Sequence, residues 1–114
     1  MSNKTKRLDE YISGVEALGK ESPDAFHAFM AAFDAVFAEG ALDSKTKRLI
    51  AIALCTQSRC KHDAARHVSE AIKVGASRRE IVEAAMVAVA LGSCLALDCA
   101  ATALKETLDE FGAI

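Results

Sequence analysis

The sequence has no tryptophan, one tyrosine, one proline and five phenylalanines among 114 residues. So few aromatics, in a chain where alanine is abundant, favour closely packed helices over a β-sandwich. There is no block of like charge: 14 basic and 16 acidic residues leave a net charge of −2. Without a basic patch, nucleic acid is not expected as a partner. There is no long hydrophobic run either. The longest uncharged stretch, Ala84 to Leu97, is too short to span a bilayer and contains Gly92 and Ser93. The opening "MSNKTKRLDE" carries no apolar core of a secretory signal. These absences predict a soluble, cytoplasmic protein with no membrane partner. Low-complexity segments, long linkers and short repeats are also lacking.

What is there can build a core: 52% of residues are hydrophobic, and the length suits one domain, taken as residues 1–114. The pattern reads as all helix. A first amphipathic segment from about Lys6 to Gly19 aligns Leu8, Ile12, Val15 and Leu18. "ESPDAF" is a helix start, with Ser22 as N-cap and Pro23 at the first position. That helix carries Phe26, Phe29, Met30, Phe33 and Phe37 and is expected to stop at Gly40. Such a stripe reads as core or subunit interface. A third helix starts at Asp43 or Ser44. Its run from Leu49 to Cys55 is wholly apolar, which predicts burial on all sides, partly by another subunit. Ser58 reads as a new N-cap, and Gly75 as the stop of the helix it opens. "SRRE", Ser77 to Glu80, is a capping box. The helix after it breaks at Gly92–Ser93, and a last helix runs from Cys94 to Phe111.

The stretch "RCKHDAARH", residues 59–67, holds the residue types that do chemistry. With Ser58 as N-cap, Cys60 falls in a first helical turn, where the helix dipole and free N–H groups favour a thiolate. Arg59 and Lys61 add positive charge. Asp63 and His67 lie three and seven residues on, along the same face, and are an i, i+4 pair. His62 points elsewhere. Seven residues of helix rise about 10 Å, so Cys60 and His67 do not form a simple dyad, and Asp63 opposes a thiolate at Cys60. Cys55 and Cys99 sit in apolar runs and read as small buried hydrophobes. A zinc set drawn from Cys55, Cys60, His62 and His67 lacks the paired CxxC or HxxxH hooks, and neither metal nor cofactor is expected.

The segment "KTKRLIAIALCTQSRCKHDAARHVSEAIKVGASRREIVEAAMVAVALGS" resembles the core of the carboxymuconolactone decarboxylase / alkylhydroperoxidase D-like family over about residues 40–100. The resemblance implies an all-α, AhpD-like bundle of about six helices that assembles as a homo-oligomer, a hexamer or a trimer. In the alkylhydroperoxidase branch two cysteines in a CxxC are redox-active, with a histidine between them, a second histidine after them and a glutamate on the preceding helix. By that correspondence Cys60 is the first cysteine, His62 the inner histidine and His67 the outer one. Asp63 takes the place of the second cysteine, and Arg48 that of the glutamate. The decarboxylase branch lacks the cysteines and has an acidic residue at position 63, but it carries a histidine and an aromatic where this chain has Val87 and Leu91.

The paired departures suggest an Arg48–Asp63 ion pair that restores the charge balance of the site. Cys94, at the family's glycine-rich break, is the candidate resolving thiol. The first functional reading is a thiol-dependent oxidoreductase of the alkylhydroperoxidase, peroxiredoxin-like type. Cys60 is its nucleophile, and His67, His62 and Asp63 handle protons. Its substrate would be a small peroxide or disulfide, with an external thiol as reductant. The alternatives are a lyase acting on a small carboxylated lactone, with Arg48 anchoring the carboxylate, and a catalytically degenerate oligomeric family member.

Overall fold

The computed structural model describes residues 6–111, so both ends of the expected 1–114 domain lie outside the described residues. Among the described residues there is helix and no strand. The order is α1 (Lys6–Glu21), α2 (Pro23–Phe37), α3 (Ser44–Ser58), α4 (Lys61–Lys73) and α5 (Arg78–Leu91). It ends with α6 (Cys94–Cys99), a π-helical turn (Ala100–Leu104) and α7 (Lys105–Phe111). The last three are contiguous, so the single closing helix expected from Cys94 to Phe111 is present, with a π turn inside it. Among the described residues no helix is long and apolar enough to cross a membrane.

Local chemistry explains most boundaries. Pro23 lacks an N–H and disfavours helix at Ser22, so α1 and α2 part there. Ser22 occupies the N-cap position without a side-chain cap bond, and α2 ends at Phe37, short of Gly40. Asp43, not Ser44, caps α3: its carboxylate accepts from the Thr46 N–H at 2.7 Å. The capping box before α5 is complete, with Ser77 N–H donating to Glu80 at 2.9 Å and Glu80 N–H donating to Ser77 Oγ at 3.1 Å. Gly75 turns the chain after α4 at φ +94°, a conformation a side chain resists.

One boundary differs from expectation. Ser58 is the last residue of α3 rather than the N-cap of α4. Its hydroxyl donates back to the Leu54 carbonyl at 2.7 Å. Arg59 takes the left-handed conformation, φ 59°, and Cys60 is the N-cap of α4. Serine resembles an N-cap in sequence, but here it back-bonds to the preceding turn.

The core is small and alanine-rich. Ile52 of α3, Val68 and Ala71 of α4, and Ile81 and Ala85 of α5 pack with Leu104 and Leu108 of the last helix. Thus α3 lies between α4 and α5, while α1 covers α4. The apolar stretch of α3 is not buried all round within one chain. Ala51, Ile52 and Cys55 are buried, but Ile50 and Leu54 are exposed. Val87 and Leu91 on α5 are exposed as well.

Candidate functional site

The α3–α4 turn positions the site. Two backbone bonds close it: Cys60 N–H donates to the Cys55 carbonyl at 3.0 Å, and Arg59 N–H to the Thr56 carbonyl at 3.4 Å. With Arg59 left-handed between them, this is a Schellman motif, which ends α3 and redirects the chain into α4. The turn puts the end of α3 beside the first turns of α4, so Cys55 meets Asp63.

Asp63 is the hub. Its Oδ2 accepts from the Cys55 thiol at 3.4 Å and lies 3.4 Å from His67 Nε2. The other imidazole nitrogen, Nδ1, is 2.9 Å from the Arg48 guanidinium. Arginine can only donate, so Nδ1 is an acceptor and the Nε2 hydrogen points at Asp63. The polar chain therefore runs Cys55–Asp63–His67–Arg48. The expected Arg48–Asp63 ion pair is not formed; His67 stands between them and bonds to both.

Aromatic rings from α2 roof this chain. His67 stacks on Phe37, with centroids 5.5 Å apart, and on Phe33 at 6.1 Å. The Arg48 guanidinium lies 4.0 Å from the Phe37 centroid, and that of Arg66 lies 4.5 Å from Phe33. Stacking of this kind favours a partly desolvated cation. His67 is only 3% exposed. The phenylalanine stripe, read as core or interface, thus has its Phe33 and Phe37 edge on the site, while Phe29 faces outward.

The electrostatics follow from burial and these contacts. The His67 hydrogen bond, chiefly, holds the Asp63 carboxyl below its ordinary value against the opposing effect of burial. Burial first, then the Asp63 charge, pushes the Cys55 thiol up to about 12. Cys55 is therefore a protonated donor at neutral pH. Burial, then the Asp63 charge, also raises the Tyr11 phenol. Burial and the neighbouring Arg66 charge push Arg48 down.

Each residue singled out in the sequence has a definite place. Cys60 is exposed at the N-terminus of α4, as N-cap rather than in the first turn. Its sulfur lies 3.4 Å from Ser58 Oγ. Since the Ser58 hydrogen goes to Leu54, the thiol is the donor in that contact. His62 leaves the cluster and pairs with Glu10 of α1 at 2.7 Å. It lines an open charged cleft of about 360 Å³ with Lys6, Arg7 and Glu106. Cys94 opens α6 and is exposed.

Sequence reasoning read Cys55 as a buried hydrophobe and Phe33 and Phe37 as core or interface, and passed over Arg66 and Tyr11. Burial of Cys55 and Cys99 is as expected, but the thiol of Cys55 is a working hydrogen-bond donor. The signal that finds it is the turn itself, which folds position 55 back over position 63. The Cys55 sulfur, an Asp63 oxygen and a His67 nitrogen lie within 4.8 Å of one another, close enough to share a metal ion. Such an ion would have to displace the Cys55 proton and the Nε2 proton of His67, with the Arg48 cation behind the imidazole. The donor set present suits protons better.

Comparison with known proteins agrees with this architecture. The model of the carboxymuconolactone decarboxylase family matches residues 23–106, a longer span than the 40–100 of the sequence resemblance. An uncharacterised protein of Cupriavidus necator is 33% identical over 86 residues, 75% of this chain and 76% of that protein. An uncharacterised protein encoded in the cox locus of Paracoccus denitrificans is 44% identical over 61 residues, 54% of this chain and 55% of that one. Among solved structures, an apo carboxymuconolactone decarboxylase family protein from Legionella pneumophila superimposes with a TM-score of 0.86 at 30% identity. That match covers 94% of this chain and 96% of the other. A Thermotoga maritima family protein, described with a possible role in antioxidative response, gives 0.75 at 24% identity, covering 94% and 95%. On the span of the family match and the likeness of fold, the chain belongs to the carboxymuconolactone decarboxylase family.

Proposed function

We propose that the protein is a thiol-dependent oxidoreductase that reduces small hydroperoxides, with Cys60 as the sulfur attacked by substrate. The carrying observation is the pairing of an exposed thiol at a helix N-terminus with a part-buried polar chain directly behind its turn. Cys60 is open to solvent, and its amide is bonded to Cys55, the first member of the Cys55–Asp63–His67–Arg48 chain. An N-terminal helix position favours a developing thiolate. Asp63 and His67 can take up and return protons without exposing the imidazole. The lyase alternative needs Arg48 and His67 to face a substrate, whereas both are occupied by each other and by the rings of Phe33 and Phe37.

An external dithiol would return the enzyme to its reduced state, as a reducing cytoplasm allows. Self-association is part of the proposal, supported by the exposed Ile50 and Leu54 on α3 and Val87 and Leu91 on α5. The hexamer expected from the family resemblance is the favoured assembly.

The test is peroxide turnover with a dithiol reductant. Cys60→Ser is expected to abolish turnover and His67→Ala to lower it. Turnover that survives Cys60→Ser overturns the reading. Lactone decarboxylation that survives Cys60→Ser and fails in His67→Ala establishes the lyase instead.

A further inference from the structure

The family-type partner of Cys60 is absent, since Asp63 stands where the second motif cysteine would be. A thiol oxidised at Cys60 still needs something to resolve it. We propose that Cys55 is the resolving thiol, closing a disulfide with Cys60 across the α3–α4 turn. This rests on the reading of Cys60 as the peroxide-reactive sulfur.

Three observations carry it. First, the Schellman motif holds the two residues together. In this motif the two residues joined by the outer backbone bond frequently bring their side chains together. Those positions are Cys55 and Cys60. The 3.0 Å bond from the Cys60 amide to the Cys55 carbonyl, with standard bond lengths, limits the Cα separation to about 7 Å, which is the reach of a disulfide. Second, the two thiols differ in access. Cys60 is exposed and Cys55 is 7% exposed, so a peroxide meets Cys60 first. Third, the Cys55 proton already rests on a base, with Asp63 Oδ2 3.4 Å away. The same carboxylate and the burial that keep Cys55 protonated prevent it from competing for peroxide.

The steps balance. A hydroperoxide gives one oxygen to the Cys60 thiol, forming a sulfenic acid and an alcohol. The Cys55 sulfur attacks the Cys60 sulfur, so the S–S bond forms as the S–O bond breaks. The Cys55 proton passes through the Asp63 carboxylate to the departing hydroxide, which leaves as water. An external dithiol then reduces the disulfide to two thiols and is itself oxidised to a disulfide.

The experiment maps the oxidised protein. The intact assembly is treated with one equivalent of hydrogen peroxide, free thiols are blocked, and the protein is digested with trypsin. Arg59 lies between the two cysteines, so cleavage there separates peptide 49–59 from the peptide that begins at Cys60. Wild type is expected to give these two peptides joined by a disulfide. In Cys55→Ser the join disappears and Cys60 accumulates as a sulfenic acid trapped by dimedone. A wild-type link from Cys60 to Cys99 or Cys94, or a Cys60 dimedone adduct as abundant in wild type as in the variant, overturns the role of Cys55 while leaving Cys60 reactive. Cys60 that stays reduced in both proteins overturns the oxidoreductase reading and this inference with it. The wild-type map needs no variant to fold.

Discussion

Cys55 and Cys60 are five residues apart, and so are Cys94 and Cys99. Each pair sits at a helix junction, yet the two junctions do opposite things with the same spacing. Cys94 and Cys99 are the first and last residues of one helix, α6. Five residues of helix separate them by about 7.5 Å along the axis and about 140° around it, so one is exposed and the other fully buried. Cys55 and Cys60 straddle the left-handed residue Arg59, which doubles the chain back and bonds one to the other. Spacing alone does not pair two side chains; the backbone conformation between them decides.

The two junctions are also built from different materials. The α5–α6 break depends on a glycine used for close approach. A Cβ on Gly92 would overlap Gln57 Oε1 and come within 2.6 Å of the Ala88 carbonyl. The α3–α4 turn instead places an arginine in a conformation usually given to glycine.

That contrast can be broken most severely at Arg59. Arg59→Pro forces φ near −65° where the turn needs a positive value, and it deletes the N–H that bonds to Thr56. A loss of about 3 kcal/mol or more is expected in urea unfolding. Next comes Gly92→Ala, where the rigid Ala88 carbonyl cannot yield; crowding of this kind costs about 2 kcal/mol, readable as a lowered midpoint with unchanged slope.

A third, smaller effect is expected from Asp63→Asn, which removes the charged acceptor shared by Cys55 and His67, at about 1–2 kcal/mol near neutral pH. Its pH dependence has a definite sign. The folded carboxyl is held below its unfolded value, so its contribution is present above about pH 4 and is lost as pH falls through the lower folded value. Wild type and variant should therefore converge in acid. Melting curves whose separation does not shrink as the pH falls would contradict the assigned contacts. The smallest effect is that of Arg59→Gly, which relieves the left-handed strain and should shift stability upward by less than about 1 kcal/mol. A clear loss there would mean that the arginine side chain, not only its backbone, supports the turn.

Much of the scaffold is legible in the sequence because its signals are local. Pro23, Asp43, the Ser77–Glu80 box and the Gly92–Ser93 break each act within a few residues. The α3–α4 boundary is misread because its stop residue is Arg59, which carries no glycine signal, while Ser58 mimics a cap. The site is half legible. Asp63 and His67 share a face by helical spacing alone. The link from His67 to Arg48, the roof of Phe33 and Phe37, and the Glu10–His62 pair join residues from different helices. No local pattern encodes those contacts. Charge reasoning finds the right group of three, Arg48, Asp63 and His67, but pairs the wrong two, because it does not see that His67 lies between the two charges and bonds to both.

The π-helical turn at Ala100–Leu104 sets a rule for what lengths of chain the fold accepts. A π turn holds one residue more than an α-helix would. Everything after it is rotated by about 100° from where an unbroken α-helix would put it. Leu104, Thr107 and Leu108 are buried in that rotated phase. Removing one residue from this stretch would make the helix more regular and leave Thr107 and Leu108 facing the core, because the π turn already supplies the phase a regular helix would then have. A one-residue deletion is thus accepted at the π turn, while an insertion elsewhere in this helix would swing Thr107 and Leu108 about 100° off the core.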